Sequence, residues 1–291
     1  MDINCAYQGR DLLGESPLWD AKSQKVYWVD ALKPALHCLN PQTSQHQEWP
    51  MPGLISAIGL HHNGGLIAAI KEGLFYIDLP SGKVRLLKQI NSDSAGVHLN
   101  DGKCDRLGRF WVGEVSHDKT NPSGKIYCLH PDGRLEIKMT GIALFNGPCW
   151  SPCNRFFYFT DSFHKTIYRC PYDLNSATLG PREVFVQIPT TDPSTPDGCT
   201  VDQAGYLWSA KWDGYRITRY SPSGTIDCEI TLPMQRPTSC IFGGKKLDTL
   251  FITSASQDIG ETAPLQDIYA GAMFTIQGHT HHGIAEIAFA E

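Results

Sequence analysis

The sequence predicts an all-β chain folded as one six-bladed β-propeller over residues 1–291, and three observations carry that prediction. A strand–turn–strand unit recurs six times at intervals of about 40 to 50 residues, the length of a four-stranded blade. Val, Ile, Tyr, Phe and Trp gather in runs of roughly 4 to 8 residues between turn signals, as strands require. Helical periodicity is hard to find, and a chain that is 41% hydrophobic and 19% charged has the apolar content to fill the core of such a fold.

The clearest units are the third and fifth. Gly102-Lys103-Cys104-Asp105 turns through Leu107-Gly108 into Arg109-Phe110-Trp111-Val112, then Lys125-Ile126-Tyr127-Cys128-Leu129 runs to Pro131-Asp132-Gly133. Cys199-Thr200-Val201-Asp202 likewise turns through Gln203-Ala204-Gly205 into Tyr206-Leu207-Trp208, and Arg216-Ile217-Thr218-Arg219-Tyr220 closes at Ser221-Pro222-Ser223-Gly224. Weaker copies start near Ser16, Ser56, Asn146 and Pro237. The leftover Asn4-Cys5-Ala6-Tyr7 is expected to supply the outer strand of the last blade, pairing chain start with chain end and removing an exposed edge.

Composition narrows the function. A net charge of −5 without a Lys/Arg run argues against an electrostatic grip on nucleic acid or anionic membrane. Apolar runs such as Leu66-Ile67-Ala68-Ala69-Ile70 fall far short of the roughly 20 residues of a membrane-spanning helix, and the N-terminus lacks a secretory pattern. A cytoplasmic protein with a small-molecule partner is expected; oligomeric state has no sequence signal. The ten cysteines, with no C-x-x-C pair, read as reduced and mostly buried, and Cys149 and Cys153 as packing residues rather than metal ligands. The histidines at 61–62 and at 279, 281 and 282 lie beside glycines and read as exposed turns. No G-x-S-x-G, H-E-x-x-H, P-loop or G-x-G-x-x-G pattern is present.

Polar residues instead stand at blade entries: Gly14-Glu15-Ser16-Pro17, Asn100-Asp101-Gly102, Asn146-Gly147-Pro148 and Pro196-Asp197-Gly198. Each precedes the innermost strand of its blade, and innermost strands line the central channel, so Glu15, Asn100, Asn146 and Asp197 are expected to share one pocket. Two inward carboxylates beside amide oxygens repel one another unless a cation lies between them, and oxygen ligation suits a hard divalent ion. Asn-Gly and Asp-Gly pairs also make simple turns. Four at the same phase of the repeat favour the cation.

Together with Leu18-Trp19, Val26-Tyr27-Trp28-Val29-Asp30, Gly108-Arg109-Phe110-Trp111-Val112-Gly113, Tyr158-Phe159-Thr160-Asp161-Ser162 and Tyr206-Leu207-Trp208, these motifs resemble the gluconolactonase/regucalcin/luciferin-regenerating enzyme family over almost the whole chain. Bacterial sugar lactonases look closest. The resemblance implies a six-bladed propeller with one divalent ion (Ca, Mg, Mn, Zn or ferrous iron) that opens sugar lactones to aldonic acids. It implies Glu15, Asn146 and Asp197 as metal ligands and Asn100 as a contact to the metal region and substrate. Many relatives carry Arg two residues before that asparagine; here His98 stands there, shorter and unable to make the same bidentate contact.

The mechanism expected is metal-assisted ester hydrolysis, with Asp197 as general base for the attacking water. Asn100 and His98 would orient the sugar, and His117 and Asp118 on the long loop of the third blade would form part of the wall. Lys211 is read either as a snorkelling side chain packed on Trp212 or as a receiver of an anionic substituent at the pocket mouth. Asp161 either knits its blade through backbone hydrogen bonds or touches substrate. A phosphorus- or sulfur-ester hydrolase using the same cup, and a non-catalytic binder of metal or protein, are the alternative functions.

Overall fold

Turn chemistry cuts the chain into short β-branched and aromatic runs, and in a computed structural model each run becomes one strand of an antiparallel sheet. Residues 1–79, 81–90, 97–116, 118–259 and 268–291 are described. Six sheets form, five with their strands in chain order from the axis outward and the sixth with the chain's first strand as its outermost. Their innermost strands are Gly14–Asp20, Ile55–Leu60, Val97–Cys104, Phe145–Trp150, Thr195–Val201 and Pro237–Gly243. These six pack side by side in a closed ring, the geometry of a six-bladed propeller. The fourth blade departs slightly, because the third strand Thr166–Asp173 pairs with both Thr178–Leu179 and Glu183–Gln187.

The ring closes as the sequence leads one to expect. Asp2–Tyr7 pairs antiparallel with Met273–Gln277 and completes the sixth blade, so an element from the chain start covers what would be an open edge.

Burial follows radius. The inner and second strands are almost wholly buried, whereas outer strands such as Gln45–Pro50 expose most of their residues. Large side chains fill the wedges between blades: Trp111 meets Trp150 and Phe157 between the third and fourth blades, and Trp208 meets Phe242 between the fifth and sixth. All ten cysteines are free thiols, and seven are buried. Among the described residues no helix is long and apolar enough to cross a membrane.

One turn device recurs. Asp105 follows the inner strand of the third blade; its Oδ1 accepts the backbone N–H groups of Leu107 and Arg109, and its Oδ2 accepts Trp111 Nε1 at 2.9 Å and Arg109 Nε at 2.6 Å. Asp202 does the same in the fifth blade, taking Ala204 and Tyr206 N–H, Trp208 Nε1 at 3.0 Å and Arg219 Nη2 at 2.8 Å. One carboxylate thus fixes the turn, the indole and a guanidinium. Asp105 is fully buried and Arg109 nearly so. Asp105→Ala strands that buried guanidinium and should lower stability by ~3–5 kcal/mol. Urea unfolding checks this, and a loss below about 1 kcal/mol, the worth of a single neutral hydrogen bond, refutes it.

Candidate active site

Every inner strand breaks its pairing register at the same level. The shifts fall between Glu15 and Leu18, Ile55 and Ala57, Leu99 and Gly102, Asn146 and Cys149, Pro196 and Cys199, and Pro237 and Ser239. A β-bulge re-aims the side chain beside it, and here it opens one end of the channel to Glu15, Asn100, Asn146 and Asp197. The Asn-Gly and Asp-Gly pairs are therefore bulges within strands rather than turns at their entries. Gly147 shows why glycine is needed: its φ is +59°, and a Cβ there would lie 2.5 Å from Cys199 Sγ and 2.6 Å from its backbone nitrogen.

Glu15, Asn100, Asn146 and Asp197 line one cavity of about 520 Å³, with Ser162 between them and Leu13, Leu144, Phe163 and Trp212 as apolar wall. Asn100 Nδ2 donates to Asn146 Oδ1 and to Phe145 O, both at 2.8 Å, while Asn146 Nδ2 donates to Ser162 Oγ at 2.9 Å. Both amides are thereby oriented, and Asn146 Oδ1 keeps a second lone pair. Asn100 Oδ1 accepts no hydrogen bond among the described residues.

The charge of this cup is uncompensated. Asp197 is 7% exposed. Burial, then the negative charge of Asp101, pushes its carboxyl well above the usual range, and burial with the charges of Asp197 and Asp101 does the same for Glu15. Asp101 itself is committed: Oδ1 accepts Gly102 N–H and Oδ2 accepts Gly147 N–H, each at 2.7 Å. Neither Glu15 nor Asp197 has a Lys, Arg or His partner within 4 Å among the described residues. Two carboxylates and an amide oxygen of this kind fit a hard divalent cation. Among the described residues no three His, Cys, Asp or Glu side chains form a metal cluster, so a site here needs an amide ligand as well as the carboxylates.

The other expected residues fall elsewhere. His98 is half-buried opposite Val115 on the inner strand of the third blade and is not among the residues lining the cavity. His117 lies outside the described residues. Asp118 is exposed and off the wall, its carboxylate held by Thr120 and by Asn121 N–H in a local turn. Lys211 neither snorkels nor reaches the cavity: it is 1% exposed, Nζ lying 3.3 Å from Ser209 Oγ and 4.9 Å from the centre of the Tyr220 ring. Strand alternation puts it on the face of Ser209, opposite Trp212, which does line the cavity. Asp161 knits its blade, accepting Ala143 and Leu144 N–H. His61 is buried rather than in an exposed turn, and bonds Glu291 Oε2 at 3.0 Å.

Sequence reasoning missed Ser162, Phe163, Lys165, Lys119, Trp212, Asp213 and Gln257. Trp212 ends the second strand of the fifth blade and the others follow the second strand of theirs. In an antiparallel blade that connection emerges at the end where the inner strand begins, so topology was the signal that could have found them.

Comparisons with known proteins agree with this fold. Residues 13–256 match the family model described as SMP-30/Gluconolactonase/LRE-like region. A 6-deoxy-6-sulfogluconolactonase of Pseudomonas putida is 31% identical over 256 residues, covering 88% of each chain. A pentonolactonase of Haloferax volcanii is 32% identical over 91% of this chain and 90% of its own. Among solved structures, a calcium-binding protein, regucalcin, from Agrobacterium tumefaciens superposes with a TM-score of 0.92 at 26% identity, over 98% of this chain and 96% of that one.

Lys211 carries a testable cost. Burial, reinforced by the Arg216 charge, lowers its amine from 10.5 to about 7. Between those values the unfolded chain holds a proton that the folded chain does not, so stability rises with pH by up to about 1.4 kcal/mol per unit; below pH 7 the penalty is full. Lys211→Met should raise the unfolding midpoint at pH 7 and flatten its rise between pH 7 and 9 relative to the parent. Parallel pH profiles for the two proteins would refute this.

Proposed function

The chain belongs to the SMP-30/gluconolactonase/LRE-like family, and from that premise we propose that it is a sugar lactonase that opens an aldonolactone to the aldonic acid with the help of one divalent ion. The single observation that carries the reading is the pair of carboxylates, half-buried Glu15 and buried Asp197, facing one cavity without a basic partner. Glu15, Asn146 and Asp197 would hold the ion; Ca, Mg, Mn, Zn and ferrous iron all accept such ligands. When bound, the ion supplies Lewis acidity toward the lactone carbonyl and charge compensation for the oxyanion.

The remaining chemistry belongs to the side chains. Asp197 takes the proton of the attacking water and returns it to the ring oxygen as the ester bond breaks. Thr160 Oγ1 donates to the backbone oxygen of Asp197 at 3.1 Å and steadies the base. Asn100 presents Oδ1 to a sugar hydroxyl while its Nδ2 holds the Asn146 amide. Phe163 and Trp212 give the sugar ring apolar faces and exclude bulk water.

A panel of neutral and charged aldonolactones, offered to chelator-stripped protein with each metal added back, tests the assignment. Metal-restored lactone opening is expected; an organophosphate turned over in preference to every lactone, or metal bound with no turnover of either, refutes it. Asp197→Asn should cut kcat by roughly 10²–10⁴-fold while metal affinity, read by calorimetry, falls far less. An equal fall in both makes Asp197 a ligand only.

A further inference from the structure

Carboxylates account for the floor of the cavity, but its mouth carries cations that lactone opening does not require. Lys119 and Lys165 both line it. Lys119 Nζ sits 4.0 Å from the centre of the Phe163 ring, a cation–π contact that holds it over the wall. Lys165 is half-buried on a backbone with φ of +51°, and its Nζ donates to Asp192 O at 2.7 Å, leaving two N–H groups unspent.

Neither charge is neutralised locally. The Asp192 carboxylate is taken by Arg216 at 2.6 Å, and Asp213, the acid at the mouth, is taken by Arg236 Nε at 2.7 Å and Gln235 Nε2 at 3.0 Å. Among the described residues no carboxylate lies within 4 Å of either lysine. With Glu15 and Asp197 assigned to the ion, two ammonium groups without a carboxylate partner among the described residues remain on the cavity wall.

We propose that the substrate is a lactone bearing an anionic group (carboxylate, sulfonate or phosphate) on the part of the sugar remote from the carbonyl, received by Lys119 and Lys165. This rests on the lactonase reading of the same site. The carboxylate formed by ring opening lies at the floor, beside Asp197, so the two lysines answer a charge present before reaction. A non-reacting group bound at the mouth sets the ring over the floor, which is how remote binding energy orients a substrate. Lys211, considered from sequence as the anion receiver, is sealed between blades; the role passes to the loops that follow the second strands of the third and fourth blades.

The test compares gluconolactone with matched lactones carrying a carboxylate, a sulfonate or a phosphate, at low and high salt. At low salt kcat/KM should favour at least one anionic lactone by about tenfold or more, the preference residing mainly in KM and shrinking with ionic strength. Lys165→Met and Lys119→Met should each reduce the anionic-to-neutral ratio by roughly three- to tenfold, Lys165→Arg should restore most of it, and Lys119→Glu with Lys165→Glu should invert it. Lys83→Met, an exposed change that removes the same single charge as each pocket Met variant, should leave the ratio as it is. Equal turnover of neutral and anionic lactones, or a ratio indifferent to both pocket lysines, overturns the inference while leaving the lactonase standing. Failure to open any lactone overturns both.

Discussion

Six inner strands meeting around one axis, each interrupted by a bulge at the same level, is the constraint on which the rest depends. A bulge leaves backbone groups without a ladder partner, and buried groups in that state are costly. Neighbouring blades satisfy them. Thr238 Oγ1 donates to Gly14 O at 2.5 Å, Ile58 N–H to Ser16 Oγ at 2.9 Å, and Ser56 Oγ to Asn100 O at 2.9 Å. Farther round, Gly147 N–H reaches Asp101 and Cys199 Sγ reaches Gly147 O at 2.9 Å. The bonds that hold blade to blade are thus the bonds that aim the side chains of the cup. Geometry at the floor is a by-product of closing the ring.

Charge is distributed along the axis to suit that ring. Asp101 spends both oxygens on bulge amides, yet its negative charge still opposes ionisation of Glu15 and Asp197, which makes the cup more receptive to a cation. Below it, Lys103 lies 3.5 Å from Glu286 in a nearly buried pair. Glu286 belongs to the segment that crosses the far mouth, tied down by Phe289 N–H on Leu60 O at 2.7 Å and by Gln203 N–H on His282 O at 2.8 Å. The segment covers that end, and the cavity lies at the cup side.

The fold was legible because a repeat multiplies weak signals: one Asp-x-x-Gly turn means little, but its return at Asp105 and Asp202 with a tryptophan six residues on marks the same device in two blades. The cup was legible for the same reason, since Glu15, Asn100, Asn146 and Asp197 occupy one phase of the unit. What a repeat cannot convey is which face of a strand a residue takes. Lys211 stands next to Trp212, and a single step of alternation sends one into the wedge between blades and the other to the cavity. The loops were illegible in another way: Lys119 is one residue from Asp118, yet Asp118 curls into its own turn while Lys119 reaches Phe163, a choice made by contacts between blades.

That difference separates chemistry from selectivity. An inner-strand residue such as Asn146 is bound to the next blade through its backbone neighbours and through Asn100, so replacing it disturbs ring closure as well as the floor. The connections bearing Lys119, Lys165 and Asp213 carry no such obligation, because the ring is complete without them. Changes in substrate charge or ring size can therefore accumulate in the loops at little cost to the fold, whereas the carboxylate pair stays under the double demand of packing and of the chemistry proposed for it. A propeller of this design keeps one reaction and varies what it is offered.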